Sequence, residues 1–210
     1  MGFRDTCLSL LLLICAQAWA ADVALVMSVQ GKVLRNPGAL PVPVETYARL
    51  GDGEVLGLEQ DSRLRVLYFE NGRQEIWSGP GRLELTLQEG KGSGLPSAEV
   101  KLLPPAMARQ IARMPASDGN GRAMRTRSVP APDAIAKLED SYRALLPARS
   151  GPDDLGPEVY LLSGLFEMRE LDRVEQVLGE LKQERPKNME AALLISLYRK
   201  AVRNARESRK

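Results

Sequence analysis

Three pairs of neighbouring carboxylates, Glu59/Asp61, Glu139/Asp140 and Asp153/Asp154, come closest to a spacing suited to acid–base chemistry. Glycoside hydrolysis needs two carboxylates facing each other across a sugar, one of them buried enough to keep its proton near neutral pH. None of these pairs is set in apolar sequence, so each reads as solvated loop or helix charge. The chain contains no histidine, which excludes Ser-His-Asp and Cys-His catalysis and ordinary zinc sites. No Ser-x-x-Lys opens a helix, and no Asp-x-Asp-x-Asp-Gly run offers a calcium loop. Gly90-Lys-Gly-Ser-Gly94 lacks phosphate-loop spacing and reads as a loop. The expectation is a protein that is not an enzyme, with no catalytic residue, no cofactor and no metal.

What remains are side chains suited to surface contact. Trp77 is the only tryptophan after residue 20, and it stands beside the Gly79-Pro-Gly81 turn with Tyr68 and Phe69 on the preceding strand. Two readings are open: an aromatic platform that stacks on a sugar or anchors a protein, or the centre of a core poor in aromatics. Arg73, in the turn before it, reads as exposed on both. In the C-terminal half, Tyr160, Phe166, Arg169, Arg173, Tyr198 and Arg199 are candidates for a partner-binding surface.

The first 20 residues decide where these side chains would work. Arg4 precedes the aliphatic run Leu8 to Ile14, and Ala18-Trp19-Ala20 places small residues at −3 and −1 before Ala21. That order reads as a secretory signal peptide cleaved after Ala20. Both cysteines, Cys7 and Cys15, would leave with it, so the exported chain would have no disulfide. Bulky Ile14 before Cys15 argues against lipidation. Charge is uneven: residues 105–132 carry 5 basic and 1 acidic groups, and residues 199–210 carry 6 and 1. Such segments suit an acidic protein, a cell-wall polymer or an anionic membrane surface, or simply a solvated helix end. No aromatics interleave the basic runs, so nucleic acid is not an expected partner.

Two kinds of element must position the candidates. From Val23 to Leu102 the apolar pattern has period 2, which predicts an all-β domain. Strands are expected at Ala24 to Leu34 (broken near Gly31), Glu54 to Leu58, Leu64 to Phe69, Gln74 to Ser78, Arg82 to Gln88 and Ser97 to Leu102. Leu83, Leu85 and Leu87 would face inward, as would Ala98, Val100 and Leu102. Leu64 to Phe69 is apolar on both faces except at Arg65, as a central strand would be, and Asn71-Gly72 predicts a type I′ turn after it. Pro104-Pro105 closes the block. Residues 105–132 are expected to be a flexible basic linker, with a short helix over Met107 to Met114 and a mobile Pro115 to Pro132. From Asp133 the period becomes helical, with four helices expected and Asn188 as the N-cap of the last.

Two family resemblances follow. Val29-Gln-Gly-Lys-Val33, Arg49-Leu-Gly-Asp-Gly-Glu-Val-Leu56 and Ser62-Arg-Leu-Arg-Val-Leu-Tyr-Phe-Glu-Asn-Gly72, with Leu83-Glu-Leu85 after them, resemble the FecR-like periplasmic domain. Nothing before residue 20 could be a cytoplasmic anti-sigma segment, so the resemblance implies an exported β domain for contact or signal transfer without the transcriptional role. Gly164 to Asn188, closing in Pro186-Lys-Asn188, is similar to a tetratricopeptide repeat, although Val174 and Leu181 stand where small residues are usual. Such repeats stack into a groove that binds peptides or proteins; so few of them could equally complete a small bundle.

The expected architecture is α+β in two domains. Residues 1–20 are the signal peptide, 21–104 a FecR-like all-β sandwich or roll, 105–132 the linker, and 133–210 tetratricopeptide-like helical hairpins. The expected function is a non-enzymatic periplasmic adaptor or signalling protein contacting envelope protein partners. The alternative is a glycan or cell-wall-binding module centred on Trp77.

Overall fold

A computed structural model describes residues 22–38, 40–115, 133–149 and 151–208. The expected signal peptide and residues 116–132 of the expected linker lie outside the described residues.

The chain is α+β. Ten strands come first: β1 (Asp22–Gln30), β2 (Val33–Arg35), β3 (Val42–Pro43), β4 (Arg49–Gly51), β5 (Val55–Leu58), β6 (Arg63–Tyr68), β7 (Arg73–Ser78), β8 (Gly81–Leu85), β9 (Gly90–Ser93) and β10 (Glu99–Leu102). They form two antiparallel five-stranded sheets. Sheet A has the order β10-β7-β6-β1-β4, and sheet B the order β3-β2-β5-β8-β9. Five helices follow: α1 (Pro105–Ile111), α2 (Ala134–Leu145), α3 (Gly156–Glu167), α4 (Leu171–Glu184) and α5 (Met189–Glu207). Asn188 caps α5, its Oδ1 accepting from Ala191 N at 2.8 Å, as the sequence predicts. Among the described residues, no helix is long and apolar enough to cross a membrane.

Central β6 shows how one strand serves two cores. Leu64, Val66 and Tyr68 point toward sheet B and join Val23, Val26, Leu56, Trp77, Leu83 and Leu85. Leu67 points the other way, into a cluster with Leu25, Met27, Tyr47 and the buried residues of the helices. The period-2 geometry of a strand makes this division, and a strand buried on both faces must be apolar on both. The order of layers is therefore sheet B, sheet A, helices. Sheet A and the helices share one apolar core. The short helix expected over Met107 to Met114 is present as α1 and the turn after it, and Met107, Ala108, Ile111 and Met114 are buried in that core. These four apolar residues suffice to dock the segment, and Arg49 fastens its end by donating to the Ala112 and Met114 carbonyls at 2.7 and 2.9 Å.

Other local expectations change in tertiary context. Gly90–Ser93, read as a loop, is strand β9 paired with β8. A Cβ on Gly90 would come within 2.8 Å of Glu75 Oε2, and one on Gly92 within 2.7 Å of the Trp77 ring. Glycine is needed because the backbone itself lies on these side chains. β8 ends at Leu85, leaving Leu87 exposed. β10 is the edge of sheet A, and β9, the last strand of sheet B, lies over β7; Val100 and the 71 % exposed Leu102 thus have no strand above them. After β6 the chain turns over residues 69–72 with only Gly72 in the left-handed region, so the type I′ expectation at Asn71-Gly72 is corrected. Gly72 N bonds back to Tyr68 O, and Arg73 N to Asn71 Oδ1, stabilising this longer connection instead.

Candidate binding groove

The sequence-predicted contact residues divide into those used by the fold and those left for solvent. Trp77, 7 % exposed, belongs to the core between the sheets, so its ring offers no open face to a sugar. Its Nε1 donates to Glu75 Oε2 at 2.9 Å, Gly90 N donates to the same oxygen at 3.0 Å, and Arg73 Nε reaches Glu75 Oε1 at 2.5 Å. Glu75 is fully buried, a carboxylate tolerated because three donors surround it. Arg73 is consequently half-buried and tied inward, contrary to the exposure expected of it. The Tyr68 hydroxyl lies buried beside this cluster, and burial with the Glu75 charge next to it pushes its pKa up.

Among the helical candidates, Tyr198 is fully buried, its hydroxyl 2.9 Å from Ser163 Oγ and its pKa raised by burial. Phe166 packs edge-on against it with ring centroids 6.0 Å apart, and Tyr160 packs partly buried against the same core. These three aromatics hold α3 and α5 together instead of forming a contact surface. Arg173 is exposed but joins α4 to α2 through Glu139. Arg169 is exposed at the turn after α3 with φ 62°. Arg199 lines a groove between α4 and α5.

A set of partly buried charges lies at and beside the junction between sheet A and the helices. Arg65 meets Asp154 at 3.3 Å, and Asp154 Oδ1 accepts from Gly156 N at 3.0 Å at the start of α3. Asp154 is therefore buried, which corrects its reading as a solvated charge. Glu158 is held by Arg149 and, at 3.9 Å, by Arg185; burial raises its pKa while both arginines oppose the shift. The Tyr47 hydroxyl donates to the Glu190 carbonyl at 3.4 Å. Sequence reasoning missed this network because each pair is distant along the chain; the lone charge of Arg65 in an apolar strand was the one available signal. Among the described residues, no group of three or more His, Cys, Asp or Glu side chains could hold a metal.

One face of α5 carries Tyr198 and Glu190 toward the sheet A side. An adjoining face, with the C-terminal turn of α4, forms a groove of about 340 Å³. Ala192, Ile195 and Ser196 line it together with Lys182, Arg185, Arg199 and Arg203. Every ionisable group lining the groove is a cation. Arg185 is occupied, with Glu158 on one side and the Pro152 carbonyl on the other. Lys182, Arg199 and Arg203 have no ion pair or side-chain hydrogen bond among the described residues. Arg203 lies four positions after Arg199, which puts them one turn apart on one face. The groove shares Arg185 and Pro186 with a shallower depression lined by Pro152, Asp153, Glu184, Lys187 and Asn188. Such an arrangement can attract, orient and hold an anionic ligand.

Comparison with protein-family models, curated proteins and solved structures finds no match for this chain.

Proposed function

We propose that this protein is a non-enzymatic adaptor of the bacterial cell envelope, exported to the periplasm and acting through protein contacts. The α4–α5 groove carries this reading, because three cations stand in it without an anionic partner among the described residues. The signal-peptide pattern of residues 1–20 and the resemblances to FecR-like and tetratricopeptide-like sequences support it. The described helical hairpins agree with a repeat-like C-terminal region, and sheet A gives that region a rigid base. A glycan-binding module centred on Trp77 is not favoured, since that ring is enclosed.

The test is site-specific photo-cross-linking in intact cells, with the photoreactive group at Ser196 in the groove or at exposed Asp52 between β4 and β5. The adaptor reading expects one envelope protein captured from position 196 and not from position 52. Equal capture from both positions, or none from either, would refute it.

A further inference from the structure

We propose that the α4–α5 groove recognises an acidic, extended segment of its partner protein, an inference that rests on the adaptor reading. The first argument is charge complementarity: Lys182, Arg199 and Arg203 are available, and no acidic side chain lines the groove. Arg185, whose side chain is 14 % exposed, sits low in the groove and adds its field while remaining engaged with Glu158. The second argument is spacing. Arg199 and Arg203 are separated along α5 by about 6 Å. Alternate side chains of an extended chain repeat at about 6.6 Å. A partner with acidic residues at alternate positions therefore brings successive carboxylates to Arg199 and Arg203, and its neighbouring backbone reaches Lys182 across the groove. Guanidinium groups favour this pairing because their planar donors match a carboxylate.

The third argument concerns shape. Ala192 and Ile195 give the groove an apolar lining, and Ser196 supplies a hydroxyl. Past Arg185 and Pro186 the recess opens into a depression that the carboxylates of Asp153 and Glu184 help to line, so the cationic stretch ends there and sets a limit to the acidic segment. A planar lipid surface would touch the projecting cations but not recessed Arg185, so the shape selects a narrow chain over a membrane.

The experiment uses the purified chain from Ala21 to Lys210 and a fluorescein-labelled peptide, Glu-Ala-Glu-Ala-Glu-Ala-Glu, followed by anisotropy. Saturable binding is expected, weakening as salt rises because the charges are exposed. The same peptide with glutamine at every acidic position should not bind. The double variant R199E/R203E, and separately K182E, should each weaken binding by about tenfold or more. Melting curves of the variants should match the parent, since none of these side chains has a partner among the described residues. Equal affinity for the parent and the variants, or for the acidic and glutamine peptides, would overturn the proposal. So would binding to phosphatidylglycerol vesicles without binding to the peptide. Capture of a partner from position 196, with no affinity for the acidic peptide, would overturn this inference and leave the adaptor reading standing.

Discussion

Replacing Glu75 with alanine should be among the most damaging single changes in the β region. The carboxylate is fully buried and accepts from Trp77 Nε1 at 2.9 Å, Gly90 N at 3.0 Å and Arg73 Nε at 2.5 Å. Arg73 is partly exposed and already lies 3.8 Å from Glu89, so it can redirect its charge at little cost. The indole and the Gly90 amide cannot, and each buried donor left unpaired costs about 1–3 kcal/mol. The expected loss is about 3–5 kcal/mol, in the range found when one partner of a buried charged network is removed. That is a large part of the 5–15 kcal/mol by which a typical domain is stable. Urea unfolding of the chain from Ala21, followed by Trp77 fluorescence, measures it directly, since Trp77 is then the sole tryptophan. Glu75→Gln keeps one carbonyl acceptor while turning an N–H toward the remaining donor, so it should lose roughly half as much. A loss below about 1 kcal/mol for E75A, or equal losses for both variants, would refute the account of Glu75 as the shared acceptor.

Gly92→Ala should cost about 1–3 kcal/mol, because the new methyl would meet the Trp77 ring at 2.7 Å. Gly179→Ala in α4, where nothing lies within 4 Å, should instead stabilise by about 0.5–1 kcal/mol; denaturant midpoints decide both. Burial raises the Glu190 pKa, with Arg65 opposing and Asp153 and Asp154 reinforcing. The folded chain then holds that proton more tightly than the unfolded one, so this group's contribution falls as pH rises from about 4.3 through its raised value. The stability of Glu190→Gln relative to the parent should therefore improve between about pH 4 and pH 7; a gap independent of pH would contradict this. A chain ending at Pro132 lacks the helices that cover Leu25, Met27, Leu67 and Met107. It should bind a hydrophobic dye and aggregate, whereas two independent domains would leave it monomeric and cooperatively folded.

The position of most elements was legible from local pattern. Period-2 patterning marked β1, β5 and β8, a run apolar on both faces marked β6 and the turn after it β7, the 3.6-residue period marked α2 to α5, and Asn188 marked the start of α5 through its own cap bond. These signals survive because neighbours along the chain enforce them: strand pleat, helical turn and capping are short-range constraints. The candidate site was legible only at Arg199. Its companions Lys182 and Arg203 look in sequence like any solvated helix charges, and only the packing of α4 against α5 gathers them.

The sequence by itself therefore determined most of the strands and the helices, that the chain carries no histidine, and that Arg65 interrupts an otherwise apolar central strand. Tertiary structure alone decided that Trp77 is enclosed, that Gly90–Ser93 pairs as a strand, and that α1 and the later helices share a core with sheet A. The physical reason is that periodicity shows that a face is apolar without naming the face that will cover it. Glycine at Gly90 and Gly92 reads as a loop until Glu75 and Trp77 occupy the space a side chain would need. Which surfaces meet is fixed by contacts between residues far apart in the chain, and those same contacts leave Lys182, Arg199 and Arg203 of the α4–α5 groove without a partner among the described residues.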